Sequence, residues 1–270
     1  MIKYIFSDID GTLYVNEDIS KHDVAAVNDF VAAGGVFALA TGRTDLEISN
    51  FAKEEKLPTP TFRISGNGSV AYDRGELIYQ TQFSNKAKYF LKTYLSSHLD
   101  ELAVVEVSTP NHIYFLMEPE DWVLNYKGDN YTINPHTLAH FEDVTFDITK
   151  MYIEGQEDFI TNMITAIEKD YGEEIEIFSD ITAVNIGPKG NTKGTAINKL
   201  LFKHGILPEQ IAVIGDAAND IGMFEITPNS FAFDYSLDFV QNSATHIVKN
   251  VAEAIDIINQ KNAAEAEEEN

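Results

Sequence analysis

The sequence predicts an α/β fold: a doubly wound parallel-sheet core of the Rossmann-like kind, interrupted by an inserted α/β cap domain. Two observations predict this class. Short apolar runs alternate with helix-like segments over residues 4–56, which is typical of a parallel sheet covered by helices on both faces. The same alternation returns over residues 183–261, after a long stretch with a different pattern. Both ends of the chain are therefore expected to build one domain.

The first elements follow from apolar runs and helix signals. Residues 4–9 form an apolar run that predicts a buried strand, and residues 36–40 form a second one. Between them, a helix is predicted to begin at Ser20, because Ser20 and Asp23 form a capping-box pattern. Another helix is predicted over residues 45–56. This β-α-β-α order is the beginning of a doubly wound sheet.

The remaining pattern divides the chain into parts. Residues 183–186 and 211–215 predict strands that continue the first sheet, with a helix from Gly194 between them. The predicted boundaries are residues 1–81 and 182–262 for the core and residues 82–181 for the cap. The last residues, 263–270, carry like charges and nothing to bury, which predicts an acidic disordered tail.

Charge and composition restrict the partners. With 43 acidic and 19 basic side chains, the formal net charge is −24, which would repel a nucleic-acid backbone or an anionic membrane surface. A phosphate site must therefore be made positive locally, by a metal ion, a lysine or backbone N–H groups. The chain has no cysteine, which excludes disulfides and cysteine-based metal sites. No apolar stretch has signal-peptide or membrane-spanning length, so we expect a cytoplasmic protein without nucleic-acid or membrane partners.

Two aspartates follow the first predicted strand. Asp8 and Asp10 lie at its carboxyl end, where open α/β sheets bind ligands, and period-two alternation sends both side chains to one side. Adjacent carboxylates repel each other unless a cation or a proton relieves the repulsion. An Asp-x-Asp-Gly sequence also opens a calcium loop, but that loop needs glycine where Leu13 stands and an acid where Ile19 stands. The calcium-loop alternative is therefore disfavoured.

Two further segments carry polar residues at the ends of predicted elements. Thr41, Gly42 and Arg43 follow the second strand and would place a hydroxyl, a backbone N–H and a guanidinium beside the first site. Alone, this segment would fit a helix N-cap better. Lys193 stands at the beginning of a predicted helix, where a cation is unfavourable to the helix dipole. That misfit suggests that its charge faces an anion; the alternative is a solvated surface lysine.

Acidic residues also follow the apolar strand at residues 211–215. Asp216, Asn219 and Asp220 enter the loop before the next helix. Such acids could cap that helix. One cap needs only one of them, so the group as a whole indicates a further function.

Together, these segments resemble the four sequence motifs of the haloacid dehalogenase-like superfamily, in the same order and strand contexts. The motif residues are Asp8-Ile9-Asp10-Gly11-Thr12, Thr41, Lys193 and Gly215 to Asp220. The Thr-Gly-Arg form of the second motif, the turn at Asn67-Gly68 and the large insertion resemble the Cof-type branch with an α/β cap, subclass IIB. The resemblance covers the chain except for its acidic end.

The resemblance implies a magnesium-dependent phosphatase that acts on a small phosphorylated metabolite. Asp8 would attack phosphorus and form an aspartyl-phosphate. Asp10 would protonate the leaving alcohol and then activate water. Mg²⁺ would be held by the carboxylates of Asp8 and Asp216 and by the backbone carbonyl of Asp10.

The resemblance also implies the contacts with phosphate. The residues expected to bind the phosphate or the substrate are Thr41, Gly42, Arg43, Lys193 and Asn219. Asp220 would orient Lys193 or a metal-bound water. The substrate would be a sugar phosphate or a phosphorylated cofactor, and the protein would be a monomer or a homodimer.

One departure and two alternatives remain. Where many members of the superfamily carry an Asn-Ala pair after the fourth motif, this chain has Ala232-Phe233-Asp234, which affects the expected leaving-group pocket. A phosphotransferase or sugar-phosphate mutase on the same fold would use the same aspartyl-phosphate. A non-catalytic phosphate-binding regulatory protein is the other alternative, and the presence of all four motifs argues against it.

Overall fold

The computed structural model describes residues 1–110, 112–116, 136–137, 144, 146–179 and 182–268. The chain forms two compact units. The first consists of Met1–Arg43, Ile48–Ile78 and Thr192–Asn270, and the second of Thr44–Glu47 and Tyr79–Asn191. Part of the predicted cap, residues 117–135, lies outside the described residues.

The strands are numbered in chain order. They are β1 (Tyr4–Ser7), β2 (Val36–Ala40), β3 (Phe62–Ser65), β4 (Val70–Asp73), β5 (Glu76–Gln80), β6 (Leu102–Ser108), β7 (Ile113–Phe115), β8 (His136–Thr137), β9 (Lys150–Gly155), β10 (Ile175–Ser179), β11 (Ala183–Pro188), β12 (Ile211–Ile214), β13 (Ser230–Phe233) and β14 (His246–Val248).

The helices are numbered in the same way. They are α1 (Lys21–Ala32), α2 (Asp45–Glu54), α3 (Asn85–Ser96), α4 (Glu157–Tyr171), α5 (Lys193–His204), α6 (Ile221–Phe224), α7 (Asp238–Gln241) and α8 (Val251–Glu268). Short 3₁₀ turns occupy Gly66–Gly68, Leu99–Glu101, Pro208–Gln210 and Ala218–Asp220. Within the described ranges, no helix combines the length and apolar character that crossing a bilayer requires.

The first unit is built on a sheet of eight described strands in the order β14-β13-β12-β1-β2-β3-β4-β5. Neighbours from β14 to β3 pair in parallel, and β4 runs antiparallel to β3. The central strands β1, β2 and β12 are nearly continuous apolar runs, because a doubly wound sheet is covered on both faces. The predicted fold class is confirmed.

Ser20 and Asp23 fix the beginnings of two helices of the first unit, although they do not form a reciprocal capping box. Ser20 Oγ accepts a hydrogen bond from the backbone N–H of Asp23 at 3.0 Å, which confirms the predicted start of α1. Asp23 Oδ1 also accepts the backbone N–H of Ala252 at 2.7 Å. The same short polar pattern therefore caps α1 and holds the first turn of α8.

The second unit has a sheet of six described strands in the order β10-β11-β9-β6-β7-β8. Its pairs are antiparallel, except that β7 and β8 run parallel. Apolar side chains of α3 and α4 pack with those of β6, β9 and β11 in one core. Two helices therefore cover one face of an antiparallel sheet.

Strand β11 corrects one prediction. The pattern at residues 183–186 predicts a strand of the first sheet, but β11 lies in the second sheet, between β9 and β10. Val184 and Ile186 are buried, and Asn185 between them is partly exposed. This alternation is typical of an antiparallel strand with one covered face, whereas central parallel strands are continuously apolar. The second unit therefore continues to Asn191.

The acidic end of the chain is helical, so the predicted disordered tail is wrong for its described residues. Helix α8 continues to Glu268 instead of ending near Lys261. Glu265 forms an ion pair with the Met1 amino group, and Asn262 Nδ2 donates to the backbone carbonyl of Ile2 at 2.8 Å. These partners come from the other end of the sequence, which a local charge pattern does not reveal.

Candidate active site

Three loops of the first unit meet at one edge of its sheet. Strand β1 lies between β12 and β2, and parallel strands all present their carboxyl ends at the same edge. The residues that follow these strands therefore emerge side by side, and they include Asp8, Thr41 and Asp216. Lys193 reaches the same place from the first turn of α5. The structure thus brings the four predicted segments together.

Lys193 lies between two buried carboxylates. Its Nζ atom is 2.8 Å from Asp8 Oδ1 and 2.7 Å from Asp220 Oδ1. Lys193 thus forms an ion pair with each carboxylate, and its contact with Asp220 is a well-aligned hydrogen bond. Lys193 and Asp220 are fully buried. The alternative of a solvated surface lysine is therefore wrong.

The first turn of α5 holds Lys193 in this position. Thr192 Oγ1 accepts the backbone N–H of Thr195 at 3.1 Å, and Thr195 Oγ1 accepts that of Thr192 at 2.9 Å. Gly194 approaches the carbonyl oxygen of Gly222 so closely that a Cβ atom would collide with it. Two hydroxyls and a glycine therefore begin the helix, and the two carboxylates offset the unfavourable ammonium at its positive end.

Burial and the neighbouring charges shift the pKa values of Asp8 and Lys193 in opposite directions. Burial raises the pKa of Asp8 well above its ordinary value, and the nearby Lys193 charge opposes that shift without cancelling it. Burial would lower the pKa of Lys193, but the charges of Asp220 and Asp8 outweigh it, so the pKa lies above the ordinary value. Lys193 is therefore charged at neutral pH and favours the ionised form of Asp8, which is the nucleophilic form.

Asp220 shapes the loop that carries Asp216. Asp220 Oδ2 accepts the backbone N–H groups of Asp216 and Ala217, each at 3.0 Å, while Oδ1 contacts Lys193. Asp220 precedes α6, but its side chain makes no cap hydrogen bond to that helix, so the capping alternative is wrong for Asp220. Both of its oxygens are engaged within the loop and by Lys193. The Asp216 carboxylate itself contacts the loop that follows β1.

Asp216 is held against the loop that contains the two N-terminal aspartates. Its Oδ1 atom accepts a hydrogen bond from Thr12 Oγ1 at 2.7 Å. Gly11 has a φ of +81°, and a Cβ atom there would collide with the Asp216 carboxylate. Burial raises the pKa of Asp216 to about 6. The hydrogen bond from Thr12 and the charge of Lys193 oppose this shift without cancelling it.

The donor set fits a divalent cation. Carboxylate oxygens of Asp8, Asp216 and Asp220 lie within 4.8 Å of one another. Oxygen donors of this kind suit a hard cation such as Mg²⁺. The buried Asp8 carboxylate has the Lys193 ammonium on one oxygen, and Asp216 carries a further carboxylate beside it. Because Asp220 is engaged elsewhere, Asp8 and Asp216 are the better placed ligands.

Arg43 contacts Asp10 in a bidentate ion pair. Its Nε atom is 2.9 Å from Asp10 Oδ2, and its Nη2 atom is 2.5 Å from Asp10 Oδ1. The guanidinium also lies 4.8 Å from the ring centre of Phe51 and 5.5 Å from that of Tyr14. The Asp10 side chain is 56% exposed, in contrast to the buried Asp8. Asp10 is therefore accessible from solvent and paired with Arg43, whereas Asp8 is buried beside Lys193.

A polar network lines the other side of the site. Thr41 is buried, and its backbone carbonyl accepts the N–H of Asn67 at 3.0 Å. Asn67 Oδ1 accepts a hydrogen bond from Asn219 Nδ2 at 3.1 Å, and the Asn67 side chain also lies against Gly42. Helix α2 begins at Asp45, so Thr41 is not its N-cap. Thr41, Gly42 and Asn219 are thus brought into one network.

The chain matches the haloacid dehalogenase-like hydrolase family over residues 5–256. It belongs to that family. The resemblance drawn from the four motifs is confirmed, and so is the prediction of an enzyme. The hydrolase motifs coincide with the cluster of Asp8, Lys193, Asp216 and Asp220.

Relatives of this hydrolase include named phosphatases. It is 24% identical to a 5-amino-6-(5-phospho-D-ribitylamino)uracil phosphatase of Bacillus subtilis, over 92% of this chain and 93% of that protein. A second Bacillus subtilis phosphatase of the same name is 27% identical, over 94% of each chain.

Solved structures show the same fold. A haloacid dehalogenase-like hydrolase from Bacteroides thetaiotaomicron aligns with a TM-score of 0.83 at 23% identity, covering 96% of this chain and all of that one (100%). A sugar phosphatase of HAD subclass IIB aligns with a TM-score of 0.80 at 20% identity, covering 95% of this chain and 99% of that one.

Three contacts of this hydrolase site were not predicted. Asn67 links Thr41 to Asn219 with a φ of +52°, a conformation that asparagine tolerates better than most residues. Its position between two glycines was the available signal. No local sequence pattern indicated the hydrogen bond from the Thr12 hydroxyl to Asp216. The Tyr235 hydroxyl, which donates to the Gly11 carbonyl at 2.7 Å, had no such pattern either.

Proposed function

We propose that this hydrolase is a magnesium-dependent phosphatase that cleaves a small phosphorylated metabolite through an aspartyl-phosphate on Asp8. The observation that carries the proposal is the buried Asp8 carboxylate, which has a charged lysine 2.8 Å away and Asp216 beside it. A buried carboxylate beside a charged ammonium, with room for a cation between it and Asp216, is suited to attack an anionic phosphate ester.

The proposed reaction has two steps. In the first, an Asp8 oxygen attacks phosphorus, the bond between phosphorus and the ester oxygen breaks, and Asp10 gives its proton to the departing alkoxide. In the second, Asp10 takes a proton from a water molecule whose oxygen attacks the same phosphorus. Inorganic phosphate leaves, and the Asp8 carboxylate is regenerated. The exposure of Asp10 supports its role in both proton transfers.

The proposed Mg²⁺ ligands are the carboxylates of Asp8 and Asp216 and the backbone carbonyl of Asp10. When bound, the ion would offset negative charge on the transferring phosphoryl group. Asp220 would hold both Lys193 and the loop that carries Asp216 in position through its three hydrogen bonds.

The proposed phosphate contacts are Lys193, Thr41, Asn219 and the backbone N–H of Gly42, with Arg43 at the exposed side. All belong to the first unit. We further propose that the second unit acts as the cap that selects the leaving group. The phosphatase relatives are named for a phosphorylated ribityl compound, and a structural neighbour is a sugar phosphatase. A phosphorylated sugar, polyol or cofactor of the cytoplasm is therefore the proposed substrate class.

The test is phosphate release from p-nitrophenyl phosphate and from a panel of sugar, polyol and cofactor phosphates, with Mg²⁺ or with a chelator. We expect release that requires Mg²⁺ and differs among the esters. An isomerised sugar phosphate without free phosphate would identify a mutase instead. A folded protein that binds Mg²⁺ and leaves every ester intact would contradict the proposal.

Binding of Mg²⁺ is expected to weaken in acid. The pKa of Asp216 is raised to about 6 by burial, and a carboxyl group must lose its proton to bind a metal. The apparent dissociation constant should increase at least about tenfold per pH unit well below about pH 6, because the pKa of Asp8, the other carboxylate ligand, is raised as well. Calorimetric titration at several pH values measures it, with Asp216→Asn as the variant that loses the site. Constant affinity down to about pH 5 would show that the pKa of Asp216 is not raised.

Arg43→Ala is expected to raise KM about tenfold for good substrates, because the guanidinium supplies charge-assisted hydrogen bonds at the open side of the site. The matched control is Arg74→Ala, since the Arg74 side chain is 71% exposed and pairs with Asp73. Steady-state kinetics on three or more esters measures the effect. Unchanged KM values would remove Arg43 from the phosphate site and leave it in its ion pair with Asp10.

A further inference from the structure

Tyr235 contacts the catalytic loop from outside the four motifs. It follows β13, two strands away from β1 in the sheet. Its hydroxyl donates a hydrogen bond to the backbone carbonyl of Gly11 at 2.7 Å. Its ring stacks on Phe233, with 5.0 Å between ring centres and an interplanar angle of 18°. The side chain is thus directed at the loop by a buried neighbour.

The hydrogen bond from Tyr235 holds the second peptide group of Gly11 in place. The backbone N–H of Gly11 donates to the carbonyl of Tyr14 at 3.0 Å, and the Gly11 carbonyl accepts the Tyr235 hydroxyl. Both peptide groups of Gly11 are therefore held. One of these groups contains the Asp10 carbonyl oxygen, and the other leads to Thr12.

Two functional groups depend on how Gly11 is oriented. The Asp10 carbonyl is a proposed Mg²⁺ ligand, and Thr12 donates to Asp216 Oδ1 at 2.7 Å. With a φ of +81°, Gly11 occupies a region in which its backbone has alternatives, because glycine lacks the steric restrictions of other residues. A hydrogen bond to its carbonyl selects one orientation among them.

We propose that Tyr235 is a positioning residue for the loop from Asp8 to Thr12, acting through the Gly11 carbonyl on the Asp10 carbonyl and on Asp216. This inference rests on the proposed phosphatase function for its catalytic consequence. Tyr235 is 51% exposed, so its hydroxyl adds little to the core of the unit. Its effect is therefore expected on the chemistry of the folded protein more than on stability.

The test compares Tyr235→Phe, which keeps the ring and removes the hydroxyl, with the wild type and with Tyr89→Phe. Tyr89 lies in the second unit and is 70% exposed, so its variant controls for the loss of a surface hydroxyl. We expect Tyr235→Phe to lower kcat about threefold to tenfold and to raise the half-saturating Mg²⁺ concentration, with KM within about twofold. A role in stability alone would lower the thermal midpoint and leave kcat of the folded protein unchanged.

Hydrogen exchange tests the contact between Tyr235 and Gly11 independently of activity. The amides of Gly11, Thr12 and Tyr14 all donate within this loop. They should exchange about threefold faster or more in Tyr235→Phe and at the wild-type rate in Tyr89→Phe. Unchanged exchange together with unchanged kcat and Mg²⁺ dependence would overturn the proposal. If the wild type cleaves no ester, the phosphatase function fails, and faster exchange in Tyr235→Phe would still support Tyr235 as the anchor of the loop.

Discussion

Asp8→Asn is expected to reduce Mg²⁺-dependent phosphate release by at least about a thousandfold, because an amide oxygen cannot form the aspartyl-phosphate. The side chain keeps its shape, and Lys193 keeps its hydrogen bond to Asp220. The variant should therefore fold and still bind phosphate esters. Initial rates with the best ester of the panel give the loss, and circular dichroism establishes that the variant is folded.

Two measurements separate loss of the nucleophile from a general loss of charge. Asp29→Asn, at an exposed position on α1, is the matched control and should keep full activity. Acid quenching of the wild type during turnover should trap a phosphorylated protein that is stable in acid and labile in base, and Asp8→Asn should yield none. An Asp8→Asn protein with activity within about tenfold of the wild type would show that another group attacks phosphorus.

Lys193→Met is expected to lower the free energy of unfolding by about 3–5 kcal/mol near neutral pH, because it removes the cation between two buried carboxylates. Asp8 and Asp220 would then face each other without a counter-charge in a site that excludes water. Activity should fall at least about a hundredfold as well, since Lys193 is also a proposed phosphate ligand.

The stability loss should depend on pH in a defined direction. Burial already raises the pKa of Asp8, and removing Lys193 raises it further, so the folded variant binds a proton that the unfolded chain does not. The deficit should therefore be larger at about pH 8 than at about pH 5. Urea unfolding measures it, with the exposed Lys203→Met on the same helix as control. A deficit below about 1 kcal/mol at neutral pH would mean that the carboxylates find another partner.

Most of the site could be predicted from the sequence because each motif follows a buried strand or begins a helix. Parallel strands present their carboxyl ends at one edge, so Asp8, Thr41 and Asp216 could be placed together without any tertiary information. Lys193 was recognisable because a cation is misplaced at the start of a helix, and its two acidic neighbours explain that misfit.

The contacts that were missed depend on pairs far apart in the sequence. Tyr235 and Gly11, or Thr12 and Asp216, have no shared local pattern. The role of Arg43 also changed in detail, because the structure pairs it with Asp10. A motif identifies the type of group at a site, whereas its hydrogen-bond partner is decided by packing.

Two errors of the fold prediction arose because each segment was judged by one feature alone. Strand β11 was assigned by its place in the order of elements, although the polar Asn185 between Val184 and Ile186 was already typical of an antiparallel strand with one covered face. The last helix was ended too early because its acidic residues were judged by charge alone, without the partners that Met1 and Ile2 provide.

The strand order of the first unit also governs the order in which the chain can fold during synthesis. Strand β1 needs β12 as a neighbour, and β12 is synthesised only after the whole second unit. The second unit is almost continuous in sequence and can complete its sheet first. Until Ile211–Ile214 emerges, the edge of the nascent β1 that pairs with β12 lacks its partner, and an unpaired apolar strand edge is prone to aggregation.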